Sequence, residues 1–214
     1  MVWNSSDQSA RRGYHHGNLR EALMQAALVL ITEKGVAGFT FADLARAAHV
    51  SPAAPYRHYR DREDLIVDLA RQGFEKFGAS LLASWENGKP EPKKALIRIG
   101  RAYLNFARQN PALYSVMFES GLPIGGSPEL TEIAEAAFAV LRMACEAVAE
   151  TIARDTRPPA MMMALHVWSL AHGIATLFTR PDRTVRPLPM RPEELLEAGV
   201  LVYFDGLAAV KKPE

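Results

Sequence analysis

Between Thr40 and Arg62 the chain gathers hydroxyl, phenol, guanidinium and imidazole groups around small alanines: Thr40, Ser51, Ala53, Ala54, Tyr56, Arg57, His58 and Arg62. Hydroxyl and guanidinium donors grip phosphate oxygens. Guanidinium, imidazole and small apolar groups meet base edges and thymine methyls. Groups of these kinds can together hold a polyanion. Two short helices must position it. Thr40 opens the first, with a small face at Ala42, Ala45 and Ala48, and it ends near His49. Ser51 caps the second and Pro52 takes its first position, giving a helix over about 52–58. Val50 in the connecting turn plugs the core. The spacing fits a helix-turn-helix, which sets its second helix in the major groove. It fits a generic helical hairpin in an all-α core as well, and spacing alone leaves both open.

The elements around this pair are also helical by periodicity. Asn18 with Glu21 reads as a capping box, and Leu19, Leu23, Ala26, Ala27 and Leu30 repeat at helical spacing up to Lys34-Gly35. That predicts a first helix over 19–34. A longer helix over about 62–77 follows the central pair. Further helical blocks are expected at 93–109, 112–119, 128–154, 159–179 and 192–211, separated by stretches rich in Pro and Gly. The composition shift at 85–92 marks the expected domain boundary.

The net charge of +1 hides an asymmetry: residues 1–62 carry eight Lys and Arg against five Asp and Glu, and four of the six histidines. A basic head on a near-neutral body suits a polyanion partner. Hydrophobic residues at 49% and charged residues at 23% exclude a disordered or collagen-like chain. The single cysteine, Cys145, precludes an internal disulfide framework and fits a reducing, cytoplasmic setting. Within an apolar helix it reads as a small buried hydrophobe, with a thiol redox sensor as the rival reading. No run of 18 apolar residues is present, so no membrane partner is expected. Residues 1–13 read as a flexible basic arm whose Arg11 and Arg12 either follow the minor groove or remain solvated. His15 and His16 lack Cys or acidic partners, so no metal site is expected.

The run FTFADLARAAHVSPAAPYRHYRDREDLI resembles the DNA-binding domain of the tetracycline repressor family. Thr40, Leu44, Ala45, Ala48, Val50, Ser51, Tyr56, His58, Tyr59 and Leu65 fall on that family's pattern. The opening GYHHGNLREAL and the spacing Trp168-x-x-x-His172-Gly173 are similar to a subgroup named for a Trp-His-Gly motif. The resemblance implies an all-α chain: a three-helix helix-turn-helix domain over 14–80 and a helical effector-binding and dimerisation domain over 81–214. It implies double-stranded DNA with a palindromic operator as partner, a homodimer and a small-molecule effector, with no cofactor. By the same resemblance Tyr56 and Arg62 hold phosphates, helped by Thr40 and Ser51; Tyr59 packs in the core; and 110–114 links the effector pocket to the long helix after the reading head. Three departures stand out. His49 replaces the usual turn glycine, Arg62 the usual lysine, and Pro55 sits inside the recognition helix, where it removes a hydrogen bond.

The aromatic and methionine residues Tyr103, Phe106, Met117, Phe118, Phe138, Met143, Trp168 and His172 are the candidate pocket, with ordinary core packing as the alternative for each. The resemblance makes the last two helices an intersubunit bundle, with Gly173, Leu195, Leu196, Gly199, Val202, Tyr203 and Leu207 as the candidate dimer interface. The weakly charged pocket set favours a lipophilic or aromatic effector. An enzyme is the rival class, but the chain has no nucleophile elbow, phosphate loop, His-Glu-x-x-His or paired Cys ligands. A regulator that only dimerises without ligand, and an activator, are further alternatives; a large closed cavity in the second half separates the first of these from a sensor.

Overall fold

A computed structural model describes residues 7–154, 157–178 and 189–209, which form eight α-helices and no strand. The side chains of 7–18 are outside the description, and with them Arg11 and Arg12. The helices are α1 (Asp7–Lys34), α2 (Phe41–Ala47), α3 (Arg62–Trp85), α4 (Pro92–Gln109), α5 (Pro111–Glu119), α6 (Pro128–Ala149), α7 (Ala160–Phe178) and α8 (Pro192–Ala209).

α1 begins at Asp7, so Asn18 lies inside it rather than capping it. Leu23, Met24, Ala27, Leu30 and Ile31 form its buried stripe, and it stops where Gly35 takes φ +78° and returns its N–H to the Ile31 carbonyl at 2.9 Å. α2 opens on a full capping box: Thr40 Oγ1 accepts from the Asp43 N–H at 3.2 Å, and Asp43 accepts from the Thr40 N–H at 3.0 Å.

α3 is the longest link between the two halves. Its first turns bury Leu65, Ile66 and Leu69, while Phe74, Phe77, Leu81 and Trp85 enter the core shared with the second half. It runs well past the expected end at residue 77. α6 stops at Ala149, short of the expected 154. α3 packs on α4, α5 and α6; α7 lies against α6 and α4; α8 closes the layer against α4 and α7. Ion pairs from Lys93 to Asp205 (2.6 Å), Arg101 to Glu197 and Arg108 to Glu193 (2.7 Å) run along the α4–α8 seam.

Among the described residues α7 is the one helix long and apolar enough to cross a membrane. Met163, Ala164, Val167, Ala171, Ile174 and Ala175 bury one side of it in the core. Met162, Leu165 and Leu177 stand exposed on it, at 41%, 43% and 57%.

Candidate nucleic-acid interface and effector cavity

The turn after α2 is a Schellman motif. The His49 N–H bonds the Arg46 carbonyl at 3.2 Å and the Val50 N–H bonds the Ala45 carbonyl at 2.9 Å. This places His49 at φ +56°, the left-handed position that glycine would take without strain. The backbone geometry is kept and His49 bears its cost. Histidine is among the side chains that tolerate it best.

The segment after the turn is not the expected α-helix over 52–58. It is a bend followed by a 3-10 turn at Pro55–Arg57. Pro55 has no N–H to give the Ser51 carbonyl, which instead accepts from Ala54 at 2.9 Å; Arg57 then bonds Ala54 and His58 bonds Pro55, also three residues back. The tight winding separates two neighbouring alanines. Ala53 is exposed, whereas Ala54 is 6% exposed and packs inward. Ala54 is therefore a core residue, not one that meets a thymine methyl directly.

Ser51, Ala53, Tyr56 and Arg57 share the open face, with His58 half-buried beside them. Tyr56 is 63% exposed and rests its ring edge on Phe41 at 4.9 Å, which aims the hydroxyl outward. Thr40 is exposed, but its hydroxyl is spent on Asp43 Oδ2 at 2.8 Å. The backbone N–H and hydroxyl of Thr40 hold the Asp43 carboxyl below its usual range, with Lys34 adding to the effect. Arg62 is turned inward: its guanidinium donates to the Val36 carbonyl at 2.6 Å and lies over the Phe39 ring at 5.9 Å. It ties α3 to the α1–α2 loop rather than standing free for phosphate. Two exposed cations absent from the sequence-based set, Arg46 and Arg60, flank the same face, at 3.5 Å from Asp43 and Asp64 respectively.

Behind this face lies a buried polar knot. Tyr59, 2% exposed, donates to Asp68 Oδ2 at 2.9 Å. Arg20 reaches the same oxygen at 2.9–3.0 Å, and Arg71 the other at 2.9 Å. Burial pushes the Asp68 carboxyl upward, but hydrogen bonds from Arg71 and Tyr59 and the charge of Arg20 outweigh it and hold the group below its ordinary value. Burial raises the Tyr59 phenol to about 12. Tyr59 thus packs in the core as expected, with a polar role that spacing did not signal.

A half-open cavity of about 500 Å³ lies between α3, α4, α5, α6 and α7. Of the candidate pocket residues, Tyr103, Met117, Phe118, Phe138 and Trp168 line it, joined by Phe74, Phe77 and Leu81 from α3. Phe106 does not: it packs against Phe77 at 5.1 Å, behind the wall. Met143 lies two residues past the lining Leu141, about 200° around α6. His172 forms a second layer. Its Nδ1 lies 2.9 Å from Tyr103 Oη and 2.8 Å from Tyr114 Oη, and its ring contacts Trp168 and Phe118. Burial lowers the His172 imidazole from its ordinary value, opposed by Glu119, and raises the Tyr103 phenol. Cys145 is fully buried and its thiol is pushed up to about 12, which removes the thiolate a redox sensor needs.

On α8, five of the candidate interface residues make contacts within the chain. Leu196 is 3% exposed and presses on Gly100, where an added Cβ would lie 2.8 Å from its Cδ2; Gly199 admits Leu170 at 2.7 Å by the same measure. Tyr203 bonds His166 Nδ1 at 3.0 Å, and Leu195 and Leu207 are half-buried on the core. Val202, at 73% exposed, and Gly173, with no atom near its would-be Cβ, remain open. Met162, Leu165, Leu177 and Ala198, which spacing did not single out, are also exposed on these two helices.

Residues 23–69 match the model of bacterial regulatory proteins of the tetR family, and residues 96–203 match that of the tetracyclin repressor-like C-terminal domain. A solved structure of a protein of unknown function from Rhodococcus sp. RHA1 is similar at 29% identity, covering 91% of this chain and 98% of that one, with a TM-score of 0.73. The chain is 26% identical over 98 residues to the uncharacterized HTH-type transcriptional regulator YobS of Bacillus subtilis (strain 168), and 29% identical over 101 residues to the HTH-type transcriptional regulator BetI of Rhizobium meliloti (strain 1021). Each of these two matches spans 46% of this chain and 50% of the relative. With both halves matched in order along an all-helical fold, the chain belongs to the tetracycline repressor family.

Proposed function

We propose that the protein is a homodimeric, sequence-specific DNA-binding transcriptional regulator, a repressor released from a palindromic operator by a small lipophilic or aromatic effector. The carrying observation is the large apolar cavity in the half of the chain that does not face DNA. A domain that only dimerised would have no use for such a space, so the cavity favours a sensor over the ligand-independent reading. The reading face is Ser51, Ala53, Tyr56 and Arg57, with Arg46 and Arg60 at its flanks. Arg11 and Arg12 extend it if the start of α1 follows the minor groove. The exposed apolar stripe on α7 and α8 supports an isologous dimer with two reading heads about one DNA turn apart. The Trp168, His172 and Gly173 spacing supports the Trp-His-Gly subgroup.

The test is a mobility shift of DNA upstream of the protein's own gene, across a salt series, with wild type, Tyr56→Phe and Arg57→Ala. Specific binding that weakens with salt and with both substitutions is expected. Wild-type binding no tighter than to random DNA there, and in a genome-wide selection of bound fragments, would refute the reading.

A further inference from the structure

We infer that the cavity selects an effector carrying a positive charge. The inference rests on the cavity being the effector site. Six aromatic rings line it, from Phe74, Phe77, Tyr103, Phe118, Phe138 and Trp168. No lysine, arginine or histidine is among its lining residues. Among the described lining residues its one acidic side chain is Glu135, exposed on α6 one turn after Thr131 and one before Phe138.

An anion carried inward would shed water and find no lysine or arginine among the described lining residues to pair with, which is costly in an apolar space. It would also pass the Glu135 carboxylate. A cation meets the opposite conditions. Aromatic faces attract it through their quadrupoles, and the carboxylate at the edge adds a direct attraction. Among the described residues no cation of the chain is within ion-pair distance of Glu135, so its charge is not already spent inside the protein. An apolar body would fill the space between α3 and α6, with its positive group toward Glu135. The same lining disfavours carboxylate and phosphate groups in the interior.

The test uses three probes with one aromatic body: pyrenemethylammonium, pyrenemethanol and pyrenecarboxylate, titrated calorimetrically into the full-length protein. Wild type should bind the ammonium about tenfold more tightly than the carboxylate, with the alcohol between them. Glu135→Gln, exposed and conservative, should narrow that gap about fivefold while leaving the alcohol's affinity unchanged. Trp168→Leu should weaken the ammonium more than the alcohol. Equal or tighter binding of the carboxylate, or a gap that Glu135→Gln does not move, overturns the charge selection and leaves the cavity as an effector site. Binding of none of the three overturns the cavity reading itself.

Discussion

Tyr59 and Asp68 meet through a 2.9 Å hydrogen bond at the joint between the reading turn and α3. Arg20 from α1 and Arg71 from α3 close on the same carboxylate. Three pieces of the DNA-facing half are thereby pinned to one buried charge. Asp68→Asn leaves Arg20 without its counter-charge and Arg71 with Glu75 alone, and should cost about 2 kcal/mol of stability. Tyr59→Phe removes one donor and should cost about 1 kcal/mol. Urea denaturation of both variants measures these losses. Because the folded state holds the Asp68 carboxyl below its ordinary 3.8, its contribution is present above that value and lost as pH falls through the lowered one. The acid limb of the wild-type stability curve should therefore flatten in Asp68→Asn.

His49→Gly should raise stability by about 1 kcal/mol. The substitution relieves the left-handed strain at φ +56°, which exceeds the added freedom of glycine in the unfolded chain. A higher thermal midpoint with unchanged DNA binding is the expected result.

The neighbouring alanines of the reading turn should part company. Ala54→Leu overfills a 6% exposed site and should destabilise by about 2 kcal/mol. Ala53→Leu is exposed and should leave the melting curve in place while altering operator affinity. Paired thermal melts and mobility shifts separate the two.

His172 provides a pH dependence of opposite origin to that of Asp68. Its imidazole is held below the ordinary 6.5 by burial, so the unfolded chain takes up a proton before the folded one does. Stability is full above that value and falls as pH drops from about 6.5 toward the lowered one. His172→Gln should remove this slope while leaving the acid limb due to Asp68. Denaturation at pH 7.5, 6.5 and 5.5 would show it; an unchanged slope in the variant would count against the assignment.

Val202→Glu and Leu165→Glu should dissociate the proposed dimer without unfolding the protomer, since neither side chain belongs to the core. Light scattering gives the mass and circular dichroism the helicity. Leu196→Glu, by contrast, should unfold the protein, because Leu196 fills the notch at Gly100.

Much of this was legible in the residues. The helix order, the Thr40 cap, the Val50 turn and five of the cavity residues follow from periodicity, capping chemistry and resemblance. What spacing cannot convey is which side of a short element faces inward. One proline tightened the winding after Ser51, and that turned Ala54 into the core. Arg62 kept a phosphate-binding side chain but found a closer acceptor in the Val36 carbonyl, contributed from 26 residues away. Leu196 and Gly199 looked like interface residues because α8 is apolar nearly all round. Only the placement of α4 and α7 decides which of its faces is already taken. The Tyr59–Asp68 and Tyr103–His172 contacts join residues 9 and 69 apart, and no local pattern encodes the second.

The enclosure of Cys145 has a practical consequence. A thiol reagent added to the native protein has nothing to react with until α6 parts from its neighbours, and the chain offers it no second sulfhydryl. The labelling rate is therefore a clock for opening of the helices around α6 alone. Read with and without ligand, it reports how firmly an occupant clasps the helices around it, on a protein that needs no engineered probe.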